Sequence, residues 1–139
     1  MGTPIRTTEK SDLVGRRVRI CRPAFQDVRH IVMPRLAARA QFRRHALKLA
    51  AWSPGVTLVA DLECRKIPNE AMFEAFVTDG FGLADGYRIV FCEEPDGEPD
   101  AKICVLSVMR SDEELSPATF EILRAREAVV RERLNGLSP

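Results

Sequence analysis

The chain has 139 residues, of which 45% are hydrophobic and 29% are charged. This length and composition are enough to bury one ordinary core, so we expect a single globular domain. No apolar run approaches the roughly 20 residues of a membrane helix, and the first residues lack the apolar centre of a signal peptide. The sequence therefore excludes membrane-spanning and secreted classes and predicts a cytoplasmic protein that contacts no membrane.

The two halves of the chain carry opposite charge, although the formal net charge is only +1. Residues 1–52 hold 12 Lys/Arg and 3 Asp/Glu, whereas residues 53–139 hold 9 Lys/Arg and 17 Asp/Glu. Fixed like charges attract an approaching molecule of opposite sign. The basic half therefore favours a polyanion or an acidic protein as partner, and the split also fits association between copies of the chain.

The basic half predicts a strand and two helices. Residues 1–14 are polar and show no period, so we expect a disordered leader before a domain of residues 15–139. Residues 18–20 fit a short strand, and residues 25–33 fit a helix that Pro34 interrupts because proline lacks the N–H. A second helix over residues 34–52 has one apolar face at helical spacing. That face consists of Ala38, Phe42, Ala46, Leu49 and Trp52.

The acidic half predicts strands and a last helix. Residues 56–60 and 72–77 are β-prone, and residues 87–92 and 103–109 flank an acidic, turn-rich linker, which predicts an antiparallel hairpin. A helix begins at Pro117 with Ser116 as its cap and ends near Gly136. Its apolar face consists of Phe120, Leu123, Val130 and Leu134. Glu127 and Arg131 form an i, i+4 ion pair on the same helix. The fold class is then α+β, with two N-terminal helices and a C-terminal helix packed on an antiparallel sheet.

The four cysteines predict free thiols. Cys21, Cys64, Cys92 and Cys104 are widely separated and include no C-x-x-C pair, so we expect four buried or half-buried reduced side chains. The two histidines have no partner at metal-ligand spacing. We therefore expect neither a metal site nor a cofactor.

Basic side chains run along the second predicted helix at i, i+4 and i+8. Such a stripe is either the solvated side of an amphipathic helix or a surface that contacts the RNA backbone. The aromatic residues nearby lie on the apolar face, which favours phosphate or protein contact over base stacking. The candidate RNA-binding residues, with two further basic residues of the next segment, are Arg35, Arg39, Arg43, Arg44, Lys48, Arg65 and Lys66.

The predicted hairpin carries the most specific pattern of the chain. Gly86-Tyr87-Arg88-Ile89-Val90-Phe91, followed after an acidic turn by a strand that ends at Arg110, resembles the C-terminal hairpin of the RelE/ParE/HigB superfamily of small bacterial toxins. The strand at residues 73–77 and the order of the elements are also similar to that superfamily. The resemblance touches about 100 residues by element order, and its motif covers residues 86–110.

The resemblance implies a metal-independent endoribonuclease that cleaves messenger RNA on the ribosome and is held inactive by an antitoxin protein. In RelE-like members, an arginine on the Tyr-Arg strand and basic residues at the end of the last strand surround the scissile phosphate. These positions correspond to Arg88 and Arg110. Guanidinium groups would stabilise the charge that builds as the ribose 2′-hydroxyl attacks. We expect the two arginines, on neighbouring strands, to converge on one face of the sheet.

The segment after Arg110 departs from the nuclease pattern. The tyrosine that assists RelE-like members has no counterpart, and Asp112, Glu113 and Glu114 would repel a phosphate. ParE-like members keep the fold without the nuclease set and act by binding a topoisomerase. The alternative therefore stays open that the chain is a non-catalytic protein-binding module, either a degenerate or ParE-like toxin or a self-associating homo-oligomer.

Overall fold

The computed structural model describes residues 17–31, 36–77, 86–94 and 102–137. The predicted leader at residues 1–14, the acidic turn of the hairpin, Pro34 and Arg35 lie outside the described residues. The side chains of Ala38, Arg39 and Leu134 also lie outside them.

The described residues form six strands, three α-helices and one 3-10 turn. The strands are β1 (Val18–Ile20), β2 (Leu58–Val59), β3 (Leu62–Lys66), β4 (Phe73–Val77), β5 (Tyr87–Glu94) and β6 (Lys102–Arg110). The helices are α1 (Arg22–Ile31), α2 (Leu36–Leu47) and α3 (Pro117–Leu137), and the 3-10 turn at Lys48–Ala51 follows α2 directly. The chain is therefore α+β, as predicted.

The six strands form one mixed sheet in the order β1-β6-β5-β4-β3-β2. Four successive antiparallel pairings lead from β2 to β6, and β1 pairs with β6 in parallel. The prediction of a purely antiparallel sheet is therefore wrong. The reason is topological: α1 and α2 carry the chain from β1 to the far edge, and four reversals bring β6 back beside β1 in the same direction.

Helices cover both faces of the sheet. The first hydrophobic cluster joins α1 and α2 to one face, where it contains Val28, Phe42 and Ile89. The second cluster joins α3 to the other face, where it contains Val90, Leu106 and Leu123. All eight residues of β5 are buried, because a strand with both faces covered has no solvent side. We call these two sides the α2 face and the α3 face.

The predicted apolar face of the second helix is confirmed for the side chains that the structure describes. Phe42, Ala46, Leu49 and Trp52 are all buried in the first cluster. The Trp52 ring lies 4.5 Å from the ring of Phe73 and 5.0 Å from the ring of Phe91, measured between centroids. The 3-10 turn thus extends the contact surface of α2 onto β4 and β5.

The predicted hairpin and C-terminal helix are also confirmed. β5 and β6 pair in antiparallel register. α3 begins at Pro117, and Ser116 Oγ accepts a hydrogen bond of 3.2 Å from the Thr119 N–H, which is a side-chain cap. Arg131 Nη2 lies 2.8 Å from Glu127 Oε2 one turn away. The prediction of four free cysteines, three buried and one half-buried, is confirmed as well.

A half-buried carboxylate closes the edge of β6 where β1 is too short to cover it. Beyond Val105, no strand among the residues that the structure describes pairs with β6 on that side. There Asp27 of α1 accepts hydrogen bonds from Ser107 Oγ at 2.6 Å and from the Val108 N–H at 3.4 Å. Arg126 of α3 donates to Asp27 Oδ2 at 2.7 Å and to the Leu106 carbonyl at 2.9 Å. Two helix side chains therefore satisfy main-chain groups that a longer β1 would have paired.

This edge arrangement predicts that Asp27 is a stabilising residue. Because Asp27→Ala removes the acceptor of three donors and leaves the Arg126 guanidinium without its carboxylate, we expect a loss of about 2–3 kcal/mol in the free energy of unfolding. Urea denaturation followed by circular dichroism measures it. Gln26→Ala, on the exposed neighbour, is the control and should change the free energy by less than about 0.5 kcal/mol. Equal effects of the two substitutions would contradict the role given to Asp27.

Candidate functional site

Arg88 lies in a row of directly opposed residues that crosses five strands. The register pairs Leu58 with Glu63, Glu63 with Phe76, Phe76 with Arg88 and Arg88 with Met109. Opposed residues of paired strands share a face of the sheet, and Met109 belongs to the cluster beneath α3. The whole row, which we call the Arg88 row, therefore lies on the α3 face.

The guanidinium of Arg88 is enclosed by acceptors of the protein itself. Its side chain is only 8% exposed. Nη1 donates to Glu74 Oε1 at 2.8 Å, and Nη2 donates to the main-chain carbonyls of Ser111, at 3.2 Å, and Glu113. Phe76 packs beside it, with its ring centroid 5.6 Å from the guanidinium carbon. The charge of Arg88 is thus compensated internally, by one carboxylate and the turn that follows β6.

Arg110 lies on the other face of the sheet. Its register partner is Tyr87, which is buried in the cluster beneath α1 and α2. The Arg110 side chain is 48% exposed, and its Nε lies 3.4 Å from Asp112 Oδ1. The expectation that Arg88 and Arg110 converge on one face is therefore wrong. The physical reason is the register, because neighbouring positions of a strand point to opposite faces.

The acidic segment that follows β6 contacts both Arg88 and Arg110. The segment after β6 places the Asp112 carboxylate beside Arg110 and turns the Ser111 and Glu113 carbonyls toward Arg88. A phosphate that approached Arg88 would have to displace Glu74 and both carbonyls, all of which are acceptors that repel it. The site therefore holds a guanidinium in place, and the exposed cation beside it, Arg65, is itself paired with the same Glu74 carboxylate.

The basic residues of α2 and of the 3-10 turn after it differ in their exposure to solvent. Arg43 and Arg44 are exposed. Lys48 instead contacts Asp61 at 2.9 Å and the Nδ1 atom of His45 at 3.2 Å. The hydrogen bond from Lys48 holds the pKa of the Asp61 carboxyl below its ordinary value. Of the predicted RNA-binding side chains that the structure describes in this region, Arg43 and Arg44 face solvent, and Lys48 of the 3-10 turn is held in a local ion pair.

Arg65 and Lys66 are adjacent in β3 and point to opposite faces. Arg65 is opposed to Glu74, whereas Lys66 is opposed to Phe73, which packs against the cluster of the α2 face. Arg65 is 68% exposed, its Nε donates to Glu74 Oε2 at 3.1 Å, and its guanidinium carbon lies 4.6 Å above the ring of Phe76. The structure thus brings Arg65 and Arg88 together around one carboxylate, and it separates both from Lys66 and Arg110.

The Arg88 row is open at the end away from α3. Met109 and Arg88 are buried and Phe76 is half-buried, whereas Glu63 is exposed and Leu58 is 63% exposed. Leu58 is one of few large apolar side chains that the described part of the chain exposes to this degree. We call the surface formed by Leu58, Glu63, Arg65 and Phe76 the open sheet face. It combines an aliphatic and an aromatic side chain with charges of both signs.

Sequence analysis missed Glu74, Phe76 and Leu58 as site residues. One signal was present for Glu74: it is the single charged residue in the apolar strand Phe73–Val77. A carboxylate inside such a strand is buried only with a partner, so its position indicates an internal cation. Nothing in the sequence distinguishes Leu58 or Phe76 from core residues, since their exposure depends on where α3 ends its contact with the sheet.

Comparison with known proteins adds no relative: the chain matches no family model, no curated protein and no solved structure. Among the helices that the structure describes, none is long and apolar enough to cross a membrane. The described side chains also include no group of three or more His, Cys, Asp or Glu residues that could hold a metal ion. The candidate site is therefore defined by its own geometry.

The geometry predicts that Glu74 neutralises Arg88 for stability. Glu74→Gln leaves the buried guanidinium uncompensated, so we expect a loss of about 3–5 kcal/mol in the free energy of unfolding. Chemical denaturation of the variant measures this loss, and Glu63→Gln, at an exposed position two strand residues from Arg65, serves as control. The double variant Glu74→Leu/Arg88→Met should be more stable than Glu74→Gln, because it buries no charge. A double variant that is the least stable of the three would contradict this account.

Proposed function

We propose that the chain is a non-catalytic toxin-like protein that acts by binding another protein through the open sheet face. The single observation that carries the proposal is the enclosure of Arg88 by Glu74 and two main-chain carbonyls. In the endoribonuclease that the resemblance implies, this arginine has to hold a phosphate. Here Nη1 and Nη2 both donate to acceptors of the protein itself, which supports binding in place of catalysis.

The separation of the two arginines supports the same conclusion. In the RelE-like pattern, the arginine of the Tyr-Arg strand and the basic residue at the end of the last strand act on one phosphate together. Arg88 lies on the α3 face and Arg110 on the α2 face. The thickness of the sheet therefore lies between the two groups, and no rotamer of Arg110 changes the face from which it starts.

The composition of the open sheet face supports a protein as its ligand. Arginine and aromatic side chains are enriched among the residues that dominate protein interfaces, and Arg65 stacks on Phe76 at this surface. Leu58 adds an apolar contact on the short edge strand β2. The two carboxylates of Glu63 and Glu74 disfavour a nucleic-acid backbone at the same place. A chain with an apolar segment flanked by both charges fits this surface.

The toxin-like part of the proposal rests on the Tyr-Arg strand and on the order of the elements. A first strand, two helices, antiparallel strands that end in the Tyr87–Arg110 hairpin, and a last helix follow each other as the resemblance implies. ParE-like members combine this order with protein binding, and an antitoxin is the partner that the resemblance implies for either type. In the sheet, the first strand β1 lies beside the last strand β6 and pairs with it in parallel.

The proposal predicts that the purified full-length chain does not cleave messenger RNA. With translating ribosomes and a defined message, primer extension should reveal no new 5′ ends beyond those of a reaction without the protein. Arg110→Ala is the informative variant, since this exposed side chain is removable without unfolding the sheet. Cleavage by the wild type that falls about a hundredfold or more in Arg110→Ala would establish the endoribonuclease and overturn the proposal.

The proposal also predicts where a partner is captured. A photo-crosslinking amino acid at position 58 should yield one discrete protein adduct in bacterial cells, and Arg65→Glu in the same chain should reduce its yield. The matched control is position 129, because Val129 is also about half exposed, on the outer side of α3. Mass spectrometry identifies the adduct, and a product of two copies would identify the self-associating form. Equal adducts from both positions, or none from position 58, would contradict the open sheet face as the binding surface.

A further inference from the structure

Cys92 and Cys104 lie directly opposite each other at the centre of the hairpin. The register pairs Cys92 of β5 with Cys104 of β6. Opposed residues of antiparallel strands have Cα atoms roughly 4.5 or 5.5 Å apart, and both spacings lie inside the range of about 4.4–6.8 Å that disulfides span. Both side chains point to the α3 face, where they are buried in the second cluster. The backbone therefore presents two thiols at bonding range without any movement of the strands.

The two sulfurs are chemically unequal. Cys92 and Cys104 share a hydrogen bond that raises the pKa of the Cys92 thiol, together with burial, and lowers the pKa of Cys104 in spite of burial. Arg19, the residue opposed to Cys104 on β1, and Lys102 on the same strand also favour the Cys104 thiolate, whereas the Glu94 carboxylate disfavours it. Cys104 is thus the sulfur that ionises first, with Cys92 as its S–H donor, and the thiolate is the nucleophilic form.

The other two cysteines have different surroundings. Cys64 lies in the cluster of the α2 face, where burial raises the pKa of its thiol to about 11. Cys21 precedes α1, and its Sγ donates to the Leu106 carbonyl at 3.3 Å; burial raises the pKa of this thiol as well. Neither of them is opposed to a second thiol in the register. The protein therefore contains one matched pair and two controls of the same residue type.

We propose that Cys92 and Cys104 form a two-electron redox site that hydrogen peroxide converts to a disulfide across the β5–β6 hairpin. The Cys104 thiolate attacks one oxygen of the peroxide and the O–O bond breaks, which gives a sulfenic acid on Cys104 and, after protonation, one water. The Cys92 sulfur then attacks the Cys104 sulfur. The S–O bond breaks, the Cys92 proton leaves with the hydroxyl as a second water, and the S–S bond forms. Two thiols are oxidised, and one peroxide is reduced to two waters.

Access to the site depends on α3. Leu123 is buried and Val130 is half-buried in the cluster that holds both thiols. Peroxide therefore reaches Cys104 when α3 opens locally. In folded proteins, the free energy of such a local opening is often well below the free energy of global unfolding. The site senses oxidant at the rate at which this helix opens, and a dithiol reductant restores the two thiols by exchange.

The test uses the reduced full-length chain, treated with hydrogen peroxide and digested without reduction. We expect one disulfide per chain, between the peptides that contain Cys92 and Cys104, which dithiothreitol reverses. Cys21→Ser and Cys64→Ser should keep this crosslink, whereas either substitution within the pair should remove it. In Cys92→Ser the sulfenic acid on Cys104 has no partner and dimedone should trap it. Labelling of Cys104 in Cys92→Ser should exceed labelling of Cys92 in Cys104→Ser, because Arg19 and Lys102 favour the thiolate at position 104.

Three results would overturn the inference. The first is a folded wild-type chain, checked by circular dichroism, that forms no disulfide under peroxide. The second is a crosslink that joins Cys21 or Cys64 to either member of the pair in preference to Cys92–Cys104. The third is a dimedone adduct that forms on Cys92 at least as readily as on Cys104. Mapping of the wild type decides the first two without any variant, so loss of folding in a serine variant leaves the test intact.

Discussion

A charged group inside the face of a sheet has to be surrounded by acceptors, because leaving it uncompensated is far more destabilising than leaving an apolar group exposed. Arg88 meets this requirement through the Glu74 carboxylate and through two carbonyls of the turn that follows β6. The same turn leads into Ser116 and the start of α3. The position of the last helix therefore depends on the arginine beneath it, and the arginine is available to no ligand as long as that turn is in place.

Several charged side chains of the two oppositely charged halves are paired within the molecule. Arg43 and Arg44 remain exposed on the basic half, whereas the arginines that the resemblance connects with catalysis belong to the acidic half and are paired with carboxylates of that same half, Glu74 and Asp112. Lys48 with Asp61 and Asp27 with Arg126 do join the two halves, so part of the charge of the halves is compensated inside one molecule. The open sheet face that we propose as the binding surface has charges of both signs and an exposed apolar side chain, a composition closer to that of a protein interface than to that of a nucleic-acid groove.

Periodicity predicted the elements well where one pattern extends over several turns or strand residues. The apolar face around Phe42, the hairpin and the cap at Ser116 all belong to this class. Periodicity did not predict the relative faces of Arg88 and Arg110, because a shift of one residue in the register exchanges the faces of a strand. The register between β5 and β6 also contains an irregularity at Val90 and Phe91, which changes the alternation along the hairpin. β3 escaped prediction because Leu62–Lys66 contains three charged residues, and only the period of two in its burial marks it as a strand.

The carboxylate of Asp27 joins elements that lie on opposite sides of the sheet. It belongs to α1, it is bonded by Arg126 of α3, and both side chains meet at the rim of β6. A fluctuation that detaches either helix from the rim removes a partner from the other, so the attachment of α1 and the attachment of α3 to this rim are energetically coupled. In a chain this short, such mechanical linkage spreads the effect of an event on one surface, whether binding or chemical change, to the far side of the molecule.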